Sequence, residues 1–112
     1  MPDWGAEIAS FDPDHLRRHF PQARIEMLSV TTMTFAQVAA LLPDGRVDLV
    51  ALDVEGHERA ILDTVDYDAH EVRFLIFEHK HIRSDDMRAL KDRLEGARFE
   101  LKSFARDTVA WR

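Results

Sequence analysis

The run Val47-Asp48-Leu49-Val50-Ala51-Leu52-Asp53-Val54 constrains this chain more than any other stretch. Apolar residues fill both of its alternating sets, Val47, Leu49 and Ala51 on one side and Val50, Leu52 and Val54 on the other. A strand built from it has to be covered on both faces, the condition of a central strand in a parallel sheet. The run then gives way to Glu55-Gly56-His57-Glu58, so acids, an imidazole and a glycine collect at the strand's carboxyl end. In an open α/β sheet that is the end where ligands bind.

The flanking segments fit the same architecture. Met1 to Ser10 has no clear period and reads as an irregular or briefly helical lead. Asp12-Pro13 is a capped helix start, and Leu16, His19 and Phe20 share a face before Pro21 ends the helix. Ile25 to Val30 alternates as a short strand. Thr34 can cap a helix carrying Phe35, Val38, Ala39 and Leu42, which Pro43-Asp44-Gly45 closes. Beyond the central strand, Ile61, Leu62 and Val65 suit a helix with Glu58 in its first turn, placed well against the helix dipole. A second buried strand, Val72 to Phe77, runs into Glu78-His79-Lys80-His81. Met87, Leu90 and Leu94 form the stripe of a helix that starts at Ser84 and stops at Gly96. Phe99 to Ser103 and Thr108 to Trp111 flank a turn at Arg106-Asp107 and close the chain as a hairpin. The expected fold is one α/β domain over residues 1–112, with a mostly parallel sheet and an antiparallel finish.

Charge and composition remove several function classes. A net charge of -6, with lysines and arginines scattered among acids, leaves no footprint for a phosphate backbone, so nucleic acid is not an expected partner. No apolar stretch reaches the roughly 20 residues of a membrane span. The chain has no cysteine, hence no disulfide or thiolate metal site, and cytoplasmic residence is expected.

Two strand ends carry the dense polar clusters: Asp53, Glu55 and His57 on one, Glu78, His79 and His81 on the next. Strands joined by one short crossover are usually neighbours, so the clusters should face each other across the sheet's carboxyl edge. Three readings follow. The acids can cap the next helix, bind loop amides and pair with Arg59, Lys80 or Arg83. They can form an acid/base site in which Glu78 or His79 takes a proton while Asp53 orients a hydroxyl. They can hold a divalent metal, although the spacings match no strong ligand template, and no metal is expected. His15, His19 and His70 read as surface or packing residues, Trp4 and Trp111 as lids on the core, and Asp63, Asp66 and Asp68 as a solvated turn.

The same residues carry a resemblance. Ala6-Glu7-Ile8-Ala9-Ser10-Phe11 followed by His15 and His19, then Val47 to Glu58 with Ile61-Leu62, then Phe74-Leu75-Ile76-Phe77-Glu78-His79-Lys80-His81 and the closing Asp107-Thr108-Val109-Ala110, resemble the carboxyl-terminal half of FkbM-type S-adenosylmethionine-dependent methyltransferases. The resemblance implies a partial Rossmann-like methyltransferase sheet and methyl transfer to a hydroxyl oxygen. It places Asp53 and Glu55 on the strand end that faces cofactor and acceptor, with Glu78 and His79 opposite them. In family labels the expected strand order is 3-4-5-7-6, with the Ile25 to Val30 strand collapsed directly against the central one.

The chain departs from that family in one respect. Its four glycines, Gly5, Gly45, Gly56 and Gly96, are far apart, and no glycine-rich turn of the kind that cradles S-adenosylmethionine occurs. The expectation is therefore a truncated domain, inactive alone, whose cofactor half a partner chain supplies. A non-catalytic α/β interaction module is the alternative. Because the strands are apolar on both faces while few helices remain to cover them, a homodimer burying the second face is also expected.

Overall fold

The computed structural model describes residues 13–19, 21, 22 and 24–112. The expectations for Trp4, Ile8 and Phe20, and for the Leu16 side chain, fall outside what is described. The chain divides into two compact units, Met1–Thr32 and Met33–Arg112.

In the first unit, α1 (Pro13–His19) starts at the expected proline and carries an exposed Arg17–Asp14 pair at 3.3 Å. The strand expected over Ile25 to Val30 is not formed, since the segment lies in neither helix nor strand and Met27 and Leu28 are exposed. The five-strand order that needed it beside the central strand is therefore not made. Alternating apolar residues give a segment two usable faces, but a strand also needs a neighbour's backbone to complete its ladder.

The second unit holds α2 (Phe35–Ala39), β1 (Leu49–Leu52), α3 (Glu58–Leu62), β2 (Phe74–Glu78), α4 (Ser84–Gly96), β3 (Glu100–Ser103) and β4 (Asp107–Trp111). Thr34 caps α2 as its sequence suggests. Its Oγ1 accepts from the Gln37 N–H at 3.1 Å, and Gln37 Oε1 accepts from the Thr34 N–H at 2.8 Å, a reciprocal box that satisfies two helix-end donors. The helix stops short of the expected Leu42, and Pro43–Gly45 form a single tight turn.

The four strands lie in the order β1-β2-β4-β3. β1 and β2 are parallel, Leu49 opposite Phe74 and Leu52 opposite Phe77, while β4 runs antiparallel to both β2 and β3. Val50, Leu75, Phe77 and Ala110 point to one face and pack with Leu62 of α3 and Leu90 and Leu94 of α4. This is the core, closed below by Val65, Tyr67, Val72 and Phe99.

Within the second unit the other face carries no covering helix. Leu49 is 57% exposed and Phe74 50%, so the two-sided burial expected of β1 and β2 is met on one side only. The cause is topological, because Leu62 of α3 and Leu90 and Leu94 of α4 join the same cluster and thus cover the same face. Trp111, expected as a lid on the core, stands half-buried at this open face.

At the amino-terminal end of β2 the sheet is locked by Arg112. Its guanidinium donates to the carbonyls of Val72 (2.8 Å), Tyr67 (2.6 Å) and Ala97 (3.0 Å) and to Asp68 (2.7 Å), and it lies 4.9 Å from the Phe99 ring centroid. Asp68, read in the sequence as part of a solvated turn, is also held by Arg98 at 2.7 Å. His70 is a packing residue, as expected, with Nδ1 2.8 Å from the Gly45 carbonyl and its ring edge-on to Phe35.

Candidate functional site

Where β1 ends, the chain has to turn away from the sheet, and it does so through a left-handed pair. Glu55 has φ 51° and Gly56 φ 100°. Glycine takes such angles freely, whereas a glutamate does so at a cost of roughly 1–2 kcal/mol. The turn is fastened from the following helix. Glu58, only 1% exposed, accepts hydrogen bonds from the Val54 N–H at 3.1 Å and the Gly56 N–H at 2.9 Å. The acid read in the sequence as a complement to the helix dipole is therefore chiefly the clamp of the strand-end loop.

That clamp presents Asp53 and Glu55 toward the end of β2. Asp53 lies close enough to the Glu78 carboxyl to act on its proton affinity. After Glu78 the chain makes a tight turn, closed by the Ile82 N–H to the His79 carbonyl at 3.0 Å, and this brings His81 back over the acids. Its Nε2 stands 3.0 Å from Glu55 Oε2 and 4.0 Å from Glu78 Oε1. Gly56 closes against the same residue, since a Cβ there would lie 3.5 Å from His81 Cβ.

Of the four residues singled out in the sequence, Asp53, Glu55 and Glu78 come together and His79 does not join them. His79 Nδ1 is 3.0 Å from the hydroxyl of buried Thr108, which is 2.9 Å from the Ser103 hydroxyl. The reason is the alternation of the strand: the residue after Glu78 projects to the opposite face. His81 takes the place expected for His79. The sequence signal for it is its position three residues beyond Glu78, which a tight turn folds onto the same side.

Partial burial, and then the neighbouring Asp53 and Glu55 carboxylates, push the Glu78 carboxyl above the ordinary glutamate value of 4.5, while His81 pulls it down less strongly. A carboxyl raised in this way keeps its proton to a higher pH than an ordinary glutamate and, once ionised, is the stronger base toward a hydroxyl. Among the described residues, no group of three or more histidines or acids is placed to hold a metal ion.

The shift fixes the sign of a stability effect. Since the folded state binds the Glu78 proton more tightly than the unfolded one, its contribution is fully present below the unperturbed value of 4.5 and is lost as pH rises through the raised value. Glu78→Gln removes the crowded charge and leaves an amide that can donate to Asp53. The variant is expected to melt at a higher temperature than the parent near pH 7, with the difference vanishing below about pH 4. Thermal melts at both pH values, read by circular dichroism, check this, and a lower melting temperature at pH 7 would count against the crowding.

The chain matches the family model of the methyltransferase FkbM domain over residues 3–101. No curated protein and no solved structure matches it. No helix among the described residues is long and apolar enough to cross a membrane.

Proposed function

The chain belongs to the FkbM methyltransferase family, and from that premise we propose that it forms the acceptor side of an S-adenosylmethionine-dependent O-methyl transfer site. The observation that carries this reading is the convergence of Asp53, Glu55, Glu78 and His81 at the carboxyl ends of two adjacent parallel strands. In family labels we read β1, β2, β3 and β4 as strands 4, 5, 6 and 7.

Methyl transfer to an alcohol requires the hydroxyl proton to leave as the new carbon–oxygen bond forms. Glu78 is the residue suited to take it, because its carboxyl is raised above the ordinary glutamate value, and Asp53 beside it can hold the hydroxyl in place. Glu55 and His81 pair across the two loops and fix the spacing of the two strand ends. His79 is a positioning residue in this reading, anchoring the end of β2 through Thr108.

The cofactor is a different matter. Gly56, the glycine at this edge, leaves room for a Cβ in ordinary contact with His81, so nothing about it demands the close approach of a ligand, and no second glycine stands near it in the sequence. These residues do not fit a cradle for the adenosyl and methionyl groups. We therefore assign the glycine-rich half to other residues, whether in the same polypeptide or in a partner chain, and take residues 1–112 to be inactive alone in the cytoplasm.

Calorimetric titration of the 112-residue chain with S-adenosylmethionine and with its demethylated product is the direct test. The expected result is no binding tighter than about 1 mM. Adding the glycine-rich half of a complete family member should restore binding and turnover. In that reconstituted system Glu78→Gln is expected to lower the rate by about 10²- to 10⁴-fold. Micromolar binding by the isolated chain, or full turnover by Glu78→Gln, would overturn the assignment.

A further inference from the structure

The open face of the sheet has a pattern that matches itself. Two central register rows cross it, Leu49, Phe74, Trp111 and Glu100 in one and Ala51, Ile76, Val109 and Lys102 in the next, with the Glu78–Asp107 pair beyond them at the edge. Across the first three strands each row is apolar, the first bulky and the second smaller. On β3 both rows end in an exposed charge, negative in the first and positive in the second.

From this we infer that the open face is a homodimer interface, in which two copies stack sheet on sheet about a two-fold axis that lies between them and runs across the strands. That operation sets each strand over its own copy, reversed, and so sets the first row of one protomer on the second row of the other. Leu49 then meets the partner's Ala51, Phe74 the partner's Ile76 and Trp111 the partner's Val109. Each large side chain faces a smaller one, the condition for two sheet faces about 10 Å apart to interdigitate. Glu100 meets the partner's Lys102, and symmetry makes that ion pair twice. The alternative axis, parallel to the strands, would lay apolar β1 over charged β3 and is excluded by the same pattern. The inference does not depend on methyl transfer.

Eight residues a side make a contact smaller than the standard interface of roughly 800 Å² per partner, so the dimer should be of modest affinity, with a dissociation constant on the order of tens of micromolar. The charges supply a test that spares the fold, because Glu100 and Lys102 are exposed and the contact Lys102 makes in its own chain is a surface approach to the Phe104 ring at 5.4 Å.

Sedimentation equilibrium of the 112-residue chain, from about 10 to about 300 μM, should show a mass rising toward two chains. Lys102→Glu puts two pairs of like charges in contact and is expected to weaken the dimer at least about tenfold, and the Glu100→Lys/Lys102→Glu double variant should restore it to within about threefold. Phe74→Asp should abolish it. Circular dichroism melts of each variant establish that it is folded. A mass of one chain at the highest concentration overturns the inference, whether the amino-terminal residues or another protein then proves to cover the face. A Lys102→Glu variant that dimerises as well as the parent overturns the proposed arrangement.

Discussion

Arg112→Ala is expected to cost about 3 kcal/mol, the largest effect of any exposed-to-half-buried position in the second unit. The side chain is only 13% exposed and holds three backbone carbonyls from two separate stretches, Tyr67 and Val72 between α3 and β2 and Ala97 after α4. Alanine leaves these acceptors partly buried without a donor, and it also removes the guanidinium from the Phe99 ring. Each hydrogen bond to a charged group is worth roughly 1.5–3 kcal/mol, but the losses overlap, so the sum is not taken. For a domain of this size a loss of 3 kcal/mol lowers the melting temperature by about 15 °C. Lysine at the same position keeps the charge without the planar fork and should recover less than half of the loss.

The Asp68 contact adds a pH signature to the same variant. The hydrogen bond from Arg112, followed by the nearby Arg98, holds the Asp68 carboxyl below the ordinary value of 3.8. A depressed folded value gives stability that is present above the unfolded value and lost as pH falls through the folded one. The parent should therefore lose part of its stability below about pH 4, and Arg112→Ala should lose less over that range because most of the linkage is gone. Because Asp68 is largely exposed this part is small, and urea melts between pH 3 and pH 7 resolve it from the larger loss due to the carbonyls.

Glu58→Ala is the second large effect, and it reaches the candidate site. The carboxylate is buried and its two oxygens satisfy two backbone donors of the loop that carries Asp53 and Glu55. Alanine leaves both donors without a partner inside the fold, at an expected cost of about 2–4 kcal/mol. If the loop then opens to reach water, the amide hydrogens of Val54 and Gly56 should exchange with solvent about 10²-fold faster, while those of β2 speed up by no more than the global loss of stability accounts for. Amide exchange read by mass spectrometry or NMR distinguishes this from general destabilisation. Glutamine should fall between the two, since only one of its terminal atoms can accept.

These two residues also mark where reading the sequence stops. The strand ends were legible because apolar runs break at Asp53 and Glu78, and a break in an alternating or continuous run is a local property. The core face was legible for the same reason, since Leu62, Leu90 and Leu94 recur at helical spacing. The bond from Glu58 to two amides behind it depends on the positive φ of Glu55 and Gly56, and a glutamate gives no sign that it will adopt such an angle. His81 in place of His79 depends on a turn that forms only after β2 has ended. The absence of a strand at Ile25 to Val30 is a non-local matter as well, because its pattern states what the segment could present and not whether a ladder partner is there to receive it.

Glu55 carries a further consequence. A glycine or asparagine would occupy its left-handed backbone more comfortably, by roughly 1 kcal/mol for glycine. Glycine at 55 would relieve that angle and in the same step remove the partner of His81, so backbone comfort and the pairing of the two strand ends pull this position in opposite directions.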